Sequence, residues 1–174
     1  LSSTGTQSCA SCHDAGLHFT DPDTGVPVSE GAVNGRFGTR NSPGASYTAF
    51  VPPLHPEDDD GDVLWVGGLF IDGRAASLEG QARMPFFNAD EMDNANVVVL
   101  VTRLRGSATR SAFEAVYGAG SLDDTAGSDS DEEQALDRMV AAIAAFERTP
   151  AFVPFSAKFD AVLAGDAVDD TLYQ

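Results

Sequence analysis

Cysteine occurs at two positions, Cys9 and Cys12, and a histidine, His13, directly follows the second. Cys-Ala-Ser-Cys-His has the spacing that attaches a c-type haem. The two thiols lie one short turn apart and can add to the two vinyl groups of one porphyrin. The imidazole that follows is placed to become the proximal ligand of the iron. Other uses of these residues fit less well. A zinc site needs about four ligands, and only His18 and His55 remain to supply nitrogen. A thioredoxin-like pair belongs in a βαβ setting and needs no histidine after it. A disulfide between such close cysteines would be strained. The expected cofactor is one covalent haem c, bound through Cys9 and Cys12 with His13 on the iron. Calcium stays a possible second cofactor without support from the sequence. Asp58-Asp59-Asp60-Gly61-Asp62 has the look of a calcium loop, but an EF-hand register puts Pro56 at its first ligand position and Gly67 at its twelfth. A solvated acidic turn is the plainer reading.

The elements that must position this motif read as helices and long loops. Asp21 to Pro56 is rich in Gly, Pro and Thr with few periodic apolar positions, as expected of an ordered loop wrapped around a cofactor. Ser77 to Arg83 reads as a short helix opened by a serine cap. Ala95 to Tyr117 carries Val97, Val98, Val101 and Leu104, then Phe113, Val116 and Tyr117. Its β-branched run would suit a strand, but no partner strand is evident, so helices are expected. Ser121 to Glu133 is an acidic, exposed loop. The clearest helix covers Asp131 to Arg148, with Leu136, Met139, Val140 and Ile143 on one face and acidic residues in its first turn. Thr149-Pro150 ends it. The expected fold is mostly α, a cytochrome c-like helical haem domain with long loops, occupying 1–174 as a single domain.

Composition narrows the function. At 174 residues, with 43% hydrophobic and 21% charged residues, the chain suits one ordinary globular domain with a sizeable core. The longest apolar runs, Val97–Val101 and Met139–Phe146, are far too short to span a membrane. The chain begins at Leu1, and covalent haem attachment takes place outside the bacterial cytoplasm. A periplasmic protein with its export signal removed is the natural expectation. The formal net charge of −17 argues against nucleic acid as a partner. It permits steering of a basic or neutral electron donor, and it equally suits a surface selected for solubility or high salt.

Several phrases taken together resemble the N-terminal haem domain of the bacterial dihaem cytochrome c peroxidase family, including its quinone-cofactor-maturing relatives of the MauG type. They are the stretch from Cys9 to Asp21, Arg-Asn-Ser-Pro at 40–43, Asp-Gly-Arg-Ala-Ala-Ser-Leu-Glu-Gly-Gln-Ala at 72–82 and Pro-Phe-Phe-Asn-Ala-Asp-Glu-Met at 85–92. Ala-Ile-Ala-Ala-Phe-Glu-Arg-Thr at 142–149 and the stretch 155–166 complete the series. The resemblance implies that Gln81, Pro85 and Glu91 form the distal pocket of a peroxide-reactive haem. Heterolysis of a bound O–O bond needs a group to shift one proton and deliver it to the leaving oxygen, which a carboxylate can do, while an amide holds the peroxide. The chain departs from the family in three ways. Ile71 stands where the family carries a tryptophan on the route between its two haems, with Trp65 nearby in sequence. No histidine occurs between Val26 and Arg40, where some members carry a distal ligand. The second haem domain is missing, which leaves a fragment, one half of a two-chain enzyme, or a monohaem descendant.

The sixth iron position stays open at this point. His18 follows His13 too closely to cross to the distal side, and His55 reads as a surface residue between prolines and the acidic turn. Met84 and Met92 flank the implied distal pocket and could give an electron-transfer iron with raised potential. Met139 belongs to the apolar face of its helix. The leading expectation is a hydrogen-peroxide-reducing haem domain fed by a small redox protein, with a second haem domain or subunit as a further partner. The rival is a monohaem electron carrier with Met84 or Met92 on the iron. A sensor or structural subunit is a third reading.

Overall fold

The computed structural model describes residues 1–23, 25–123 and 129–165. Among them the chain forms a hairpin and five α-helices. These are β1 (His55–Asp59), β2 (Asp62–Val66), α1 (Leu78–Arg83), α2 (Val97–Arg105), α3 (Arg110–Tyr117), α4 (Asp129–Glu147) and α5 (Lys158–Leu163). Short 3-10 turns at Cys9–Ser11, Ala15–Leu17 and Thr48–Phe50 punctuate long irregular segments.

Side-chain caps start the helices where the sequence supplies them. Ser77 accepts from the Gly80 amide at 3.1 Å to begin α1, and Asn96 accepts from the Val99 amide at 3.0 Å to begin α2. The valine run at 97–99 is helical because its next two apolar residues, Leu100 and Val101, fall on a face that α4 covers. Leu100, Val101 and Leu104 pack there with Leu136, Met139 and Val140 of α4 and with Phe86, Met92 and Leu122. Ile143 packs against the edge of the same core, so the whole apolar stripe read from α4 faces inward. Inside this region Arg105 donates to Glu132 at 2.8 Å, and Glu132 is otherwise buried. A second, smaller cluster of Leu69, Ala75, Leu78 and Ala144 seats α1 against α4.

The hairpin departs from the helix-and-loop reading. β1 pairs antiparallel with β2 from His55↔Val66 to Asp59↔Asp62, and the acidic turn is its two-residue tip. Asp60 and Gly61 both take positive φ, 52° and 94°, the requirement of the tight turn that matches strand twist. Both faces of β2 are exposed, Trp65 most of all at 67%. Residues 124–128 of the expected acidic loop lie outside the described residues, and from Asp129 the chain is already helical in α4.

Candidate haem site

A cleft of about 840 Å³ opens between the N-terminal segment, the stretch Leu69–Arg74, α1 with the turn after it, and the end of α4. Cys9, Cys12 and His13 line it, and so do Gln81, Pro85, Glu91 and Met92. Leu69, Phe70, Ile71, Leu78, Phe86, Phe146 and Phe152 make it largely apolar. Residues 80 positions apart in sequence thus share one cavity.

The His13 ring is oriented by its neighbours. Its Nδ1 lies 3.0 Å from the Phe19 carbonyl oxygen. A carbonyl can only accept, so Nδ1 carries the proton and Nε2 keeps its lone pair for a metal. The carbonyl reaches that place through two successive left-handed residues, His18 (φ 56°) and Phe19 (φ 58°), a costly turn for non-glycine residues. Two bonds close it: the Phe19 amide donates to Asp14 at 2.7 Å, and Asp14 donates to Thr20 at 2.9 Å. The Phe19 ring stacks on Phe152 at 3.7 Å between centroids, and Phe146 meets Phe152 edge-on at 5.0 Å. Burial pushes both cysteine thiols above their ordinary values.

The turn from Pro85 to Asp93, which supplies further lining residues, is held by its own backbone. Met92 donates to the Pro85 carbonyl at 3.1 Å, and the Asn88 carbonyl accepts from both Glu91 and Asp93. The loop at Gly31 locks on from outside, with Ala32 donating to the Glu91 carbonyl at 2.6 Å. A β-carbon at position 31 would lie 2.4 Å from the Asp90 carbonyl oxygen, so glycine is required for that approach. The Glu91 carboxylate accepts from Asn88 Nδ2 at 2.8 Å. Burial nevertheless raises its pKa, against the opposing pull of that hydrogen bond and of Arg74 and His13.

The cleft also holds groups the sequence did not point to. Glu147, four residues beyond Ile143 and so on the same helical face, lines it with a carboxyl raised by burial to about 7. The signal was a carboxylate at the end of an otherwise apolar stripe. Arg40 and Arg74 both bind Asp72, holding that carboxyl at about 2, and Arg74 lies 3.6 Å over the Phe70 ring.

Of the candidate sixth ligands, Met92 is 6% exposed and in the cleft, whereas Met84 is 42% exposed and outside its lining. His18 and His55 are outside it too, and His55 pairs with Glu57 at 3.2 Å. Met139 sits in the helical core. Ile71 lines the cleft, but Trp65 does not. Among the described residues no group of three or more His, Cys, Asp or Glu side chains gathers to hold a metal ion, the acidic hairpin tip included. The donor set fits a covalent haem: two thiols on the wall, one imidazole of fixed tautomer, and an apolar slot of suitable size.

The family whose sequence pattern matches, described as di-haem cytochrome c peroxidase, covers residues 1–168. The chain is 41% identical to the methylamine utilization protein MauG of Paracoccus denitrificans over 170 residues, 95% of this chain and 41% of that one. It is 30% identical to the protein of the same name from Methylophilus methylotrophus, over 95% of this chain and 40% of the relative. The diheme peroxidase BthA of Burkholderia thailandensis has a similar fold, with a TM-score of 0.76, 29% identity, and coverage of 94% of this chain and 39% of that structure. The chain therefore spans about two fifths of the length of these relatives. The expectation of a single haem as the cofactor complement is corrected, because the family is di-haem. One Cys-x-x-Cys-His motif accounts for one covalent attachment, and sequence counting could see no further than the cysteines present. With its motif, its cleft and its match over residues 1–168 in agreement, this chain belongs to the di-haem cytochrome c peroxidase family.

Proposed function

We propose that this chain is the hydrogen-peroxide-handling haem domain of a peroxidase. In it Cys9 and Cys12 hold a c-type haem, His13 ligates the iron, and Glu91 with Gln81 and Pro85 forms the distal pocket. The observation that carries this reading is Glu91, a half-buried carboxyl of raised pKa in the same cleft as His13. When bound, the haem supplies the iron and the electrons that reduce an O–O bond. Glu91 is poised to take a proton from bound peroxide and return it to the departing oxygen, since a carboxyl with pKa moved toward neutrality can do both. Asn88 fixes the carboxylate through its 2.8 Å hydrogen bond. Gln81 offers an amide that can hold the oxidant by hydrogen bonds, and Pro85 presents no amide donor to compete. The Phe19 carbonyl, by keeping the proton on Nδ1, increases the electron donation of His13.

The wider setting belongs to the same proposal. Electrons come from a small basic or neutral redox protein, a second haem domain or subunit of the family type completes the enzyme, and the protein acts in the periplasm after export. No described helix is long and apolar enough to cross a membrane. One observation favours a second reading, a cytochrome c-like electron carrier with Met92 on the iron: Met92 is buried and lines the cleft. Stopped-flow mixing with hydrogen peroxide separates the two. The wild-type haem chain should react, and Glu91→Gln should slow that reaction by roughly 10²–10⁴-fold. Equal rates remove Glu91 from the mechanism. An inert wild type with a near-infrared sulfur-to-iron band establishes the carrier.

A further inference from the structure

A second cavity, about 420 Å³, lies behind the distal turn and is lined by Arg74, Arg83, Met84, Phe87, Asn88 and Glu91. Three of these residues, Arg74, Asn88 and Glu91, line the haem cleft as well. They form a partition whose two sides are different cavities, and the group that the proposed chemistry needs stands in it. The cleft itself is the space a macrocycle takes, so a molecule bound for Glu91 needs a way through the wall.

We propose that this outer cavity is the port through which a small hydroperoxide-class oxidant reaches the distal pocket, with Met84 as the residue that sets its width. The inference rests on the peroxide-handling reading above. Met84 is exposed, as are Arg74 and Asn88, but those two are held by Asp72 and Glu91 while Met84 carries a flexible thioether. It directly follows α1, its amide donates to the Gln81 carbonyl at 3.1 Å, and Phe87 donates in turn to the Met84 carbonyl at 3.2 Å. The frame is therefore fixed while the thioether side chain faces solvent. The two guanidiniums at the port are ion-paired, and with Arg40, which shares Asp72, they face three carboxylates in all. Arg83 binds Glu133 and lies 3.1 Å from Asp137, and Arg74 lies 2.7 Å from Asp72. Such a port offers hydrogen-bond donors without a strong net charge, which suits a small uncharged polar oxidant. The hydrogen-bonded Asn88–Glu91 pair is then both the inner door and the first polar contact inside.

The test uses the haem-loaded chain and two variants, Met84→Trp to plug the cavity and Met84→Ala to widen it. Cyanide association and dissociation at the ferric iron are measured beside the rates with hydrogen peroxide and with tert-butyl hydroperoxide. A port changes the speed of passage in both directions. Met84→Trp should therefore slow cyanide association and dissociation alike, by about tenfold, and leave its Kd and the haem spectrum unchanged. Hydrogen peroxide should slow in parallel, and Met84→Ala should admit tert-butyl hydroperoxide faster than the wild type does. Unchanged cyanide rates in both variants overturn the port, as does a changed Kd, which would mean a disturbed distal pocket. Faster binding in Met84→Trp also overturns it, because Met84 would then be blocking the iron. A chain whose cyanide kinetics follow this pattern but which leaves peroxide intact keeps the port and loses the peroxidase reading. A wild type that takes up neither ligand loses both.

Discussion

At the scale of single residues, hydrogen bonds orient two of the groups that line the cleft. The Phe19 carbonyl fixes the His13 tautomer, and Asn88 fixes the Glu91 carboxylate. The thiol assignment is tested directly. Acid–acetone extraction should leave the haem on the polypeptide, and haem that partitions into the organic phase would sink it. Glu147 carries a different prediction. Its carboxyl is raised to about 7 in the folded chain from the ordinary glutamate range. Between those values the folded state holds a proton that the unfolded chain has released. Stability from this group is thus present at low pH and lost as pH climbs to about 7. Burial is partial, so after solvent screening the loss is about 1 kcal/mol. Glu147→Gln should remove that slope in thermal melts between pH 5 and 8 and raise Tm at pH 8. A variant with the wild-type slope would mean that another group takes the proton.

At the scale of elements, the molecule was legible where one force dominated. The α4 stripe of Leu136, Met139, Val140 and Ile143 is a 3.6-residue period, and burial follows it. The valines of α2 favour strand by local preference, and packing against α4 overrides it. The hairpin was missed because β1 reads His-Pro-Glu-Asp-Asp, mostly residues poor in strand propensity, and neither strand alternates. Its legible signal was Asp60-Gly61, a two-residue turn pair read only as a solvated turn. The pairing of Gln81 and Glu91 with His13 in one cleft was accessible only through family likeness, because no local rule joins segments so far apart. The foot of the hairpin shows how tightly it joins the cleft wall. Gly68 has φ 76°, and a β-carbon there would meet the Gly73 carbonyl oxygen at 2.3 Å and its Cα at 2.5 Å. Gly68→Ala must push apart the turn that leads into Leu69–Arg74. It should cost about 2–3 kcal/mol, read as a Tm lower by roughly 5–10 °C, with a shifted Soret band as the wall moves. A melt within a degree of wild type would show that the foot is not rigid.

At the scale of the whole molecule, the charge is one-sided even after internal pairing. Among the described residues Arg36, Arg40, Arg74, Arg83, Arg105, Arg110 and Arg148 are ion-paired to carboxylates. Each pair cancels one charge of either sign, so the acidic excess of a chain with net charge −17 is left over. The hairpin concentrates part of it, with Glu57, Asp58, Asp59, Asp60 and Asp62 all exposed on an element whose two strands pair with each other. Such a surface repels acidic partners and accelerates encounter with basic ones, because long-range attraction raises the association rate before any contact forms. If the electron donor of the proposed reaction is basic, its second-order rate of reducing the haem should fall steadily with salt. The steepest loss should come as ionic strength rises toward ~0.1 M, where the Debye length shrinks to about 10 Å. A basic and an acidic small cytochrome compared as donors across that range give the sign. The basic one should start faster and slow with salt, and the acidic one should start slower and quicken as screening relieves repulsion. Two donors with the same flat dependence would show that docking is governed by apolar contact, with the acidic surface serving only to keep the protein in solution.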